Sequence, residues 1–364
     1  MGRLYSLTDQ LSSQQIIQGA TYGPANELTQ ITGGSYSGAW GNETRTYNVM
    51  KQLTQLISNG VSMTYNYSPT QNNGTIVSDT NGSYTYDSLN RLATFVGSGA
   101  NQTFTYDGFG NLASIAGTQA NTITYNPATN QGYCADANGN STEALCAGGY
   151  YGYTYDIENR IVQTGTAGGN FHYSYAPGNK RVWRGDGSTT DEVTFWSPSG
   201  QKLGTYALTT TAGTYSNGQY SGPFFYATQT GTNYYFGSEL IKNARGWVYS
   251  DRLGSVGKYL PYGQDNGSGN PANGSEKFTG YQRDAETGLD YAVNRYASPG
   301  AGRFLTADPF AKSATAKDPG SWNRYAYTRG DPVILAWRMR HDETRISHEA
   351  RSAVRYRELV STSG

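Results

Sequence analysis

Aliphatic side chains, cysteine, net charge and long apolar runs are all scarce in this 364-residue chain. Only 36% of the residues are hydrophobic, and tyrosine alone supplies 32 of them. A dense solid core is hard to build from that stock. Tyrosine buries its ring while its hydroxyl seeks water or a partner, which suits a thin β-wall with wet surfaces. No stretch approaches the roughly 18 apolar residues of a membrane helix, so no membrane span is expected. Residues 1–20 lack the basic start and apolar run of an export signal, so no signal peptide is visible. Lys+Arg and Asp+Glu both total 27, giving a formal charge of zero. That balance removes the long-range field a nucleic acid or anionic membrane would reward, and no nucleic-acid partner is expected. Cys134 and Cys146 have no neighbouring histidine, which argues against zinc. They leave two alternatives open, a loop-closing disulfide in an oxidising compartment or two free thiols. His172, His341 and His348 stand far from any nucleophile motif, so no Ser/His/Asp set can be assembled. No metal or cofactor is expected.

What is abundant is glycine, at 47 residues, and a tyrosine that recurs ahead of a turn-forming cluster. It stands at Tyr22, Tyr47, Tyr67, Tyr86, Tyr106, Tyr125, Tyr155 and Tyr175, mostly about 20 residues apart, and a fixed period marks a repeat architecture. The clearest copies are Tyr84-Thr85-Tyr86-Asp87-Ser88-Leu89-Asn90-Arg91-Leu92 and Tyr153-Thr154-Tyr155-Asp156-Ile157-Glu158-Asn159-Arg160-Ile161. Tyrosines two apart share one face of an extended strand. Asp87 and Asn90 can cap a turn through local hydrogen bonds, and Gly108 and Gly110, after Tyr106-Asp107, supply positive-φ freedom. Leu92, Leu112 and Ile161 then begin the return strand, six positions after their tyrosines. One unit is a hairpin, and consecutive hairpins pair edge to edge into a curling antiparallel sheet. The gap between Tyr125 and Tyr155 is filled by a degenerate copy, Tyr133-Cys134-Ala135-Asp136-Ala137-Asn138-Gly139-Asn140, with Ala135 at the second tyrosine position. Asp136, Asn138 and Asn140 suggest a calcium loop, but the remaining EF-hand spacing is absent, so turn chemistry is preferred.

The Y-x-Y-D-x-x-N-R-L unit resembles the YD repeat of Rhs proteins, shared with toxin-complex C components, bacterial wall-associated proteins and the teneurin shell domain. That resemblance covers residues 1–228. Residues 229–332 resemble the Rhs repeat-associated core, on Asp251-Arg252-Leu253-Gly254-Ser255-Val256, Pro261-Tyr262-Gly263, Gly280-Tyr281-Gln282-Arg283-Asp284 and Gly288-Leu289-Asp290-Tyr291. Gly302-Arg303-Phe304-Leu305-Thr306-Ala307-Asp308-Pro309 and Asn323-Arg324-Tyr325 continue the match. The resemblance implies an all-β fold: spiralling antiparallel hairpins forming part of a hollow shell, capped by the core, around a C-terminal polypeptide that is commonly a toxin.

The same resemblance implies a possible aspartyl autoprotease built from two D-P-x-G motifs. Asp308-Pro309 stands at the first position, but Phe310-Ala311 replaces its continuation, and no carboxylate stands near Trp337, where the second is expected. Asp318 and Asp331 each precede a proline, as ordinary turn formers do. No catalytic residue is expected beyond the degenerate candidate Asp308, and the chain is read as non-enzymatic.

Residues 333–364 change character, with six arginines and Ile346, Ala350, Ala353 and Val354 at helical spacing, which reads as a short amphipathic helix. This tail is expected to be frame-shifted or truncated. Gly2-Arg3-Leu4 repeats the end of a unit (compare Asn90-Arg91-Leu92), so the chain is read as part of a longer secreted or cell-surface protein. The leading functional expectation is a shell segment that encapsulates or presents a C-terminal toxin in competition or host targeting. The alternative is a surface adhesin whose exposed aromatic rings stack on cell-surface glycans.

Overall fold

The computed structural model describes residues 3–334, apart from 11, 36–40, 133, 144–151, 167–168, 187–190, 212, 223, 268–275, 311–313 and 315–318. Among these residues there is no α-helix, and the chain is an array of antiparallel hairpins, as the sequence leads one to expect. Twelve strands, from Leu7–Asp9 to Asn121–Thr122, pair in strict chain order into one sheet. A second sheet of seven begins at Tyr153–Tyr155 and ends where Lys202–Thr211 pairs with Phe224–Thr232. That last strand runs through residue 228, where the repeats were expected to stop.

The turn within each unit explains the period. In the copy at 84–92 the Asp87 amide donates to the Arg91 carbonyl at 2.9 Å, and Asp87 Oδ1 accepts the Leu89 and Arg91 amides, each at 2.9 Å. Arg91 Nε closes the ring on Asp87 Oδ2 at 2.7 Å. Asn90 takes φ +58°, the left-handed position that asparagine tolerates and that closes a three-residue hairpin loop. Asp156–Arg160 repeats the pattern with Asn159 at φ +60°, and Asp107–Asn111 repeats it with Gly110 at φ +80°. The degenerate copy keeps it too, with Asp136 clamped to Asn140 although its tyrosine is gone.

The turn leaves a β-bulge, because Tyr84 faces Phe95 and Thr85 faces Thr94, while Tyr86 faces Leu92. One extra residue therefore sits on the return strand. It flips the alternation, so Leu92 and Phe95, three apart, both point to the buried face. Leu53 and Leu56, and Leu112 and Ile115, do the same. Tyr84 is buried on that face, Tyr86 is half-buried and Thr85 is exposed, the two-apart geometry read from the sequence.

Each unit is tied to the one before it. All eight repeat tyrosines donate their hydroxyl to a carbonyl of the preceding unit: Tyr22 to Leu4, Tyr47 to Leu28, Tyr67 to Leu53, Tyr86 to Ile76, Tyr106 to Leu92, Tyr125 to Leu112, Tyr155 to Ser141 and Tyr175 to Ile161. The distances run from 2.6 Å, for Tyr155 and Tyr175, to 3.1 Å, for Tyr67. Trp196 takes the same place one unit later, its indole N–H donating to the Arg181 carbonyl at 2.9 Å. Arginines stack on the next unit's ring as cation–π pairs, Arg91 on Tyr106 at 4.4 Å and Arg160 on Tyr175 at 5.1 Å. Arg3 lies over Tyr22 in the same manner.

After the second sheet the chain returns to the first. Strands Tyr234–Phe236, Glu239–Asn243 and Gly246–Trp247 place Phe236 and Ile241 against Ile16, Ile17, Ala20 and Ile31. The described residues between 251 and 334 then lie across the buried faces of both large sheets. Tyr259, Leu260, Phe278, Phe304 and Tyr327 pack on Leu53, Leu92, Phe95 and Ile115, while Leu289, Tyr291, Tyr296 and Leu305 pack on Tyr153, Ile161 and Tyr173. Within this core, Gln282–Arg283, Asp290–Tyr291, Tyr296–Ser298 and Arg303–Phe304 form a small sheet of its own. Gly302, at φ +57°, lets the core approach the wall, since a Cβ there would lie 2.6 Å from Leu112 and 2.9 Å from Tyr262.

Candidate functional site

The seam between wall and core concentrates the polar chemistry of the molecule. In the unit that follows Ile161, the position six residues after the tyrosine is not aliphatic. Arg181 pairs with Tyr175 as Leu92 pairs with Tyr86, so its side chain enters the buried face. There its Nη1 and Nη2 meet Asp284 Oδ2 and Oδ1 at 2.6 and 2.7 Å, both residues being 3% exposed. Nη1 also donates to the Tyr296 hydroxyl at 2.9 Å, and the guanidinium lies over the rings of Tyr291 at 4.5 Å and Tyr173 at 4.9 Å. Burial works against this charge; the Asp284 carboxylate and the surrounding hydroxyls more than offset it, so its pKa stands above the usual arginine value. Alongside, Arg184 Nε and Nη2 hold Glu286 at 2.8 and 2.5 Å, with Tyr173 donating to Glu286 Oε1 at 2.7 Å.

The motif residues of the core divide between this lock and the core's own turns. Arg283 holds Asp290 through two bonds of 2.8 Å and donates to the Gly263 carbonyl at 2.6 Å. Asp251–Ser255 reuses the repeat's turn, with Asp251 Oδ1 accepting the Leu253 and Ser255 amides at 2.8 and 2.7 Å and Gly254 at φ +87°. Gly263, Gly280 and Gly288 also take positive φ. Tyr262, next to Pro261, meets the Tyr106 hydroxyl at 2.7 Å. Arg303 lies between the rings of Tyr125 and Tyr325, at 4.7 and 4.6 Å. Asn323 donates to Asn111 Oδ1 at 2.7 Å, and the Tyr325 hydroxyl donates to the Gly139 carbonyl at 2.9 Å.

A second joint closes the start of the wall onto residues 234–249. Arg45 reaches Glu43 and Glu239, each at 2.6 Å. Burial, then the nearby Glu239 carboxylate, pushes Glu43 up to about 7.

The last described residues are held on the buried face. The Gly330 carbonyl stands 3.2 Å from the hydroxyls of both Tyr106 and Tyr262. Arg252 donates to the carbonyls of Val333 and Ile334. Val333 is 7% exposed and belongs to the cluster of Leu92 and Phe304.

Asp308, beside Pro309, is held by contacts within the core. Its Oδ1 accepts the Phe310 amide at 2.9 Å, and Arg295 Nη2 stands 3.5 Å from Oδ2. Burial draws the Arg295 guanidinium down to about 10. Asp331 caps the Ile334 amide at 3.1 Å. Asp318, Trp337 and the helix expected in the tail lie outside the described residues. Cys134 is disulfide-bonded, and Cys146 lies outside the described residues. Among the described residues, no group of three or more His, Cys, Asp or Glu side chains could hold a metal, and no helix is long and apolar enough to cross a membrane.

Sequence reasoning placed Tyr106 in the repeat and Arg252, Asp284, Glu286 and Tyr291 in the core motif without pairing them, and it missed Arg181, Arg184 and Tyr296. One signal was visible: an arginine at the position where the copies of Tyr22, Tyr47, Tyr86, Tyr106 and Tyr155 have leucine or isoleucine.

No family model matches the chain. The tRNA3(Ser)-specific nuclease WapA of Bacillus spizizenii is 35% identical over 131 residues, 31% of this chain and 5% of that protein. The tRNA nuclease WapA of Bacillus subtilis is 42% identical over 64 residues, 16% of this chain and 2% of that protein. Among solved structures, the TcdB2-TccC3-Cdc42 complex matches with a TM-score of 0.64 at 18% identity, over 89% of this chain and 19% of that chain. A Photorhabdus luminescens Tc holotoxin pore matches with a TM-score of 0.62 at 16% identity, over 92% of this chain and 19% of that chain. The fold is thus shared with these toxin assemblies. The chain spans about a fifth of those solved chains and about a twentieth of the first curated relative.

Proposed function

We propose that this chain is a wall-and-core segment of a toxin-carrying Rhs-type YD-repeat protein. Its task is to enclose or present the polypeptide that follows the core, as a structural part without a catalytic turnover of its own. In this reading residues 1–228 are wall, 229–332 are core, and the longer protein acts outside the cell. The observation that carries it is the fixing of residues 330–334 on the buried face of the wall by Tyr106, Tyr262 and Arg252. A polypeptide continuing from there starts on the inner side. The likeness to toxin assemblies, and the identity shared with two WapA nucleases, support the same reading.

The test is limited proteolysis of the full-length gene product. The region following the core is expected to resist protease while the wall is intact and to be cut once Arg181→Leu opens the seam. Equal cutting in both proteins overturns the proposal.

A further inference from the structure

A second charged residue occupies the buried position of a unit one step beyond Arg181. Lys202 pairs with Trp196 across the same bulge that sets Arg181 against Tyr175. Its side chain is 11% exposed, and its Nζ stands 3.6 Å from Glu276 Oε1, on a core side chain that is 9% exposed. The same oxygen accepts a hydrogen bond from Asn233 Nδ2 at 2.8 Å. Asn233 follows directly on the strand paired with that of Lys202, its backbone amide donating to the Leu203 carbonyl at 2.9 Å. Its Nδ2 also donates to the Tyr235 hydroxyl at 3.3 Å. By contrast, the ion pair of Lys51 with Glu27 is exposed at the lysine.

An amine, a carboxamide and a carboxylate oxygen that is bonded to the amide nitrogen at 2.8 Å and stands 3.6 Å from the amine are the parts of an amide-exchange reaction. We propose that Lys202 and Asn233 join in an intramolecular isopeptide bond, with Glu276 carrying the protons. Glu276 takes a proton from the Lys202 ammonium, and the freed lone pair attacks Asn233 Cγ. The bond from Cγ to Nδ2 breaks as the new bond from Cγ to Nζ forms. Two protons leave Nζ and two arrive on Nδ2, which departs as ammonium, so Glu276 ends as it began and no oxidant is consumed. Its oxygen is already bonded to the leaving nitrogen, toward which it acts as acid, and it acts as base toward the attacking nitrogen once the ammonium closes the 3.6 Å between them. Holding the reactants on one fixed side chain supplies the proximity that makes an amide a feasible target.

The bond would close the base of the long ribbon formed by Lys202–Thr211 and Phe224–Thr232, beyond which residues 215–219 and 226–230 are exposed. A covalent tie there stabilises mainly by restricting the unfolded chain.

The experiment is intact mass measurement of the purified, reduced full chain, followed by tandem mass analysis of its peptides. The expected result is a chain lighter by one ammonia, a Lys202 peptide joined to the Asn233 peptide, and full mass restored in Glu276→Gln and Lys202→Arg. A wild-type chain at full sequence mass overturns the proposal. So does an ammonia loss that maps to a succinimide at an Asn-Gly step such as Asn73-Gly74. Both outcomes are read on the wild-type chain, so a variant that misfolds leaves the answer intact.

Discussion

Arg181 and Asp284 meet edge to edge in a two-bond ion pair that joins the repeat wall to the core, 103 positions away in sequence. Neither charge reaches water, so each depends on the other. Arg181→Leu restores the repeat's aliphatic residue but strands the carboxylate, and is expected to lose about 3–5 kcal/mol. The double variant with Asp284→Ala should recover at least half of that loss in urea denaturation. A double variant as unstable as the single one would show that the pair's charge is not what matters.

The Tyr106 hydroxyl lies within hydrogen-bond reach of the Leu92 carbonyl, the Tyr262 hydroxyl and the Gly330 carbonyl. Tyr106→Phe leaves buried partners unserved and is expected to cost about 1–3 kcal/mol. Tyr125→Phe, which removes the bond to Leu112 at 2.9 Å, should cost about 1 kcal/mol. Denaturation midpoints of the two variants make the comparison.

Stability should fall as pH rises through neutrality. Burial raises Glu43 from 4.5 to about 7, and raises Asp290 from 3.8 to about 6. A carboxyl with a raised folded pKa binds its proton more tightly folded than unfolded. Its stabilising share is complete below the unfolded value and is lost as pH climbs through the folded one. The thermal midpoint at constant ionic strength is expected to drop between about pH 5 and pH 8, with a shallower drop in Glu43→Gln. Parallel curves for the two proteins would exclude Glu43 as the source.

The purified chain should remain in one piece. Asp308 has its carboxylate held by the Phe310 amide and faced by Arg295, and nothing in the motif supplies its second acid. Denaturing electrophoresis is expected to show one band, unchanged by Asp308→Ala. A clean break near residue 332 that this variant abolishes would reverse the non-enzymatic reading.

The wall was legible because its information is local and repeated. Asp87, Asn90 and Arg91 bond among themselves within five residues, and Tyr84 and Tyr86 share a face by strand geometry alone. The Tyr-to-carbonyl ties were hidden by a smaller margin, since the period fixes which residues recur but not where a hydroxyl points. The seam was harder. The series Leu92, Leu112, Ile161 breaks at Arg181 and Lys202, which the sequence displays, but the answering Asp284 and Glu276 are selected only when the core folds back. Asp251 was read as part of a core signature; the structure shows the repeat's own turn carried into new surroundings.

The ties between units point one way. Each repeat tyrosine finishes its predecessor's hydrogen bonding, and its own unit leaves a carbonyl for the tyrosine or tryptophan that follows, except where Ala135 takes that place. A chain emerging from the ribosome therefore completes this wall in the order of synthesis, each arrival sealing the unit already made. Because a unit that keeps its tyrosine brings both a donor and an acceptor, a duplicate of such a unit inserts without needing any new complementary residue. Gene duplication can thus change the reach of the wall freely, while Arg181 and Lys202, which answer to fixed positions in the core, set where along it the core must land.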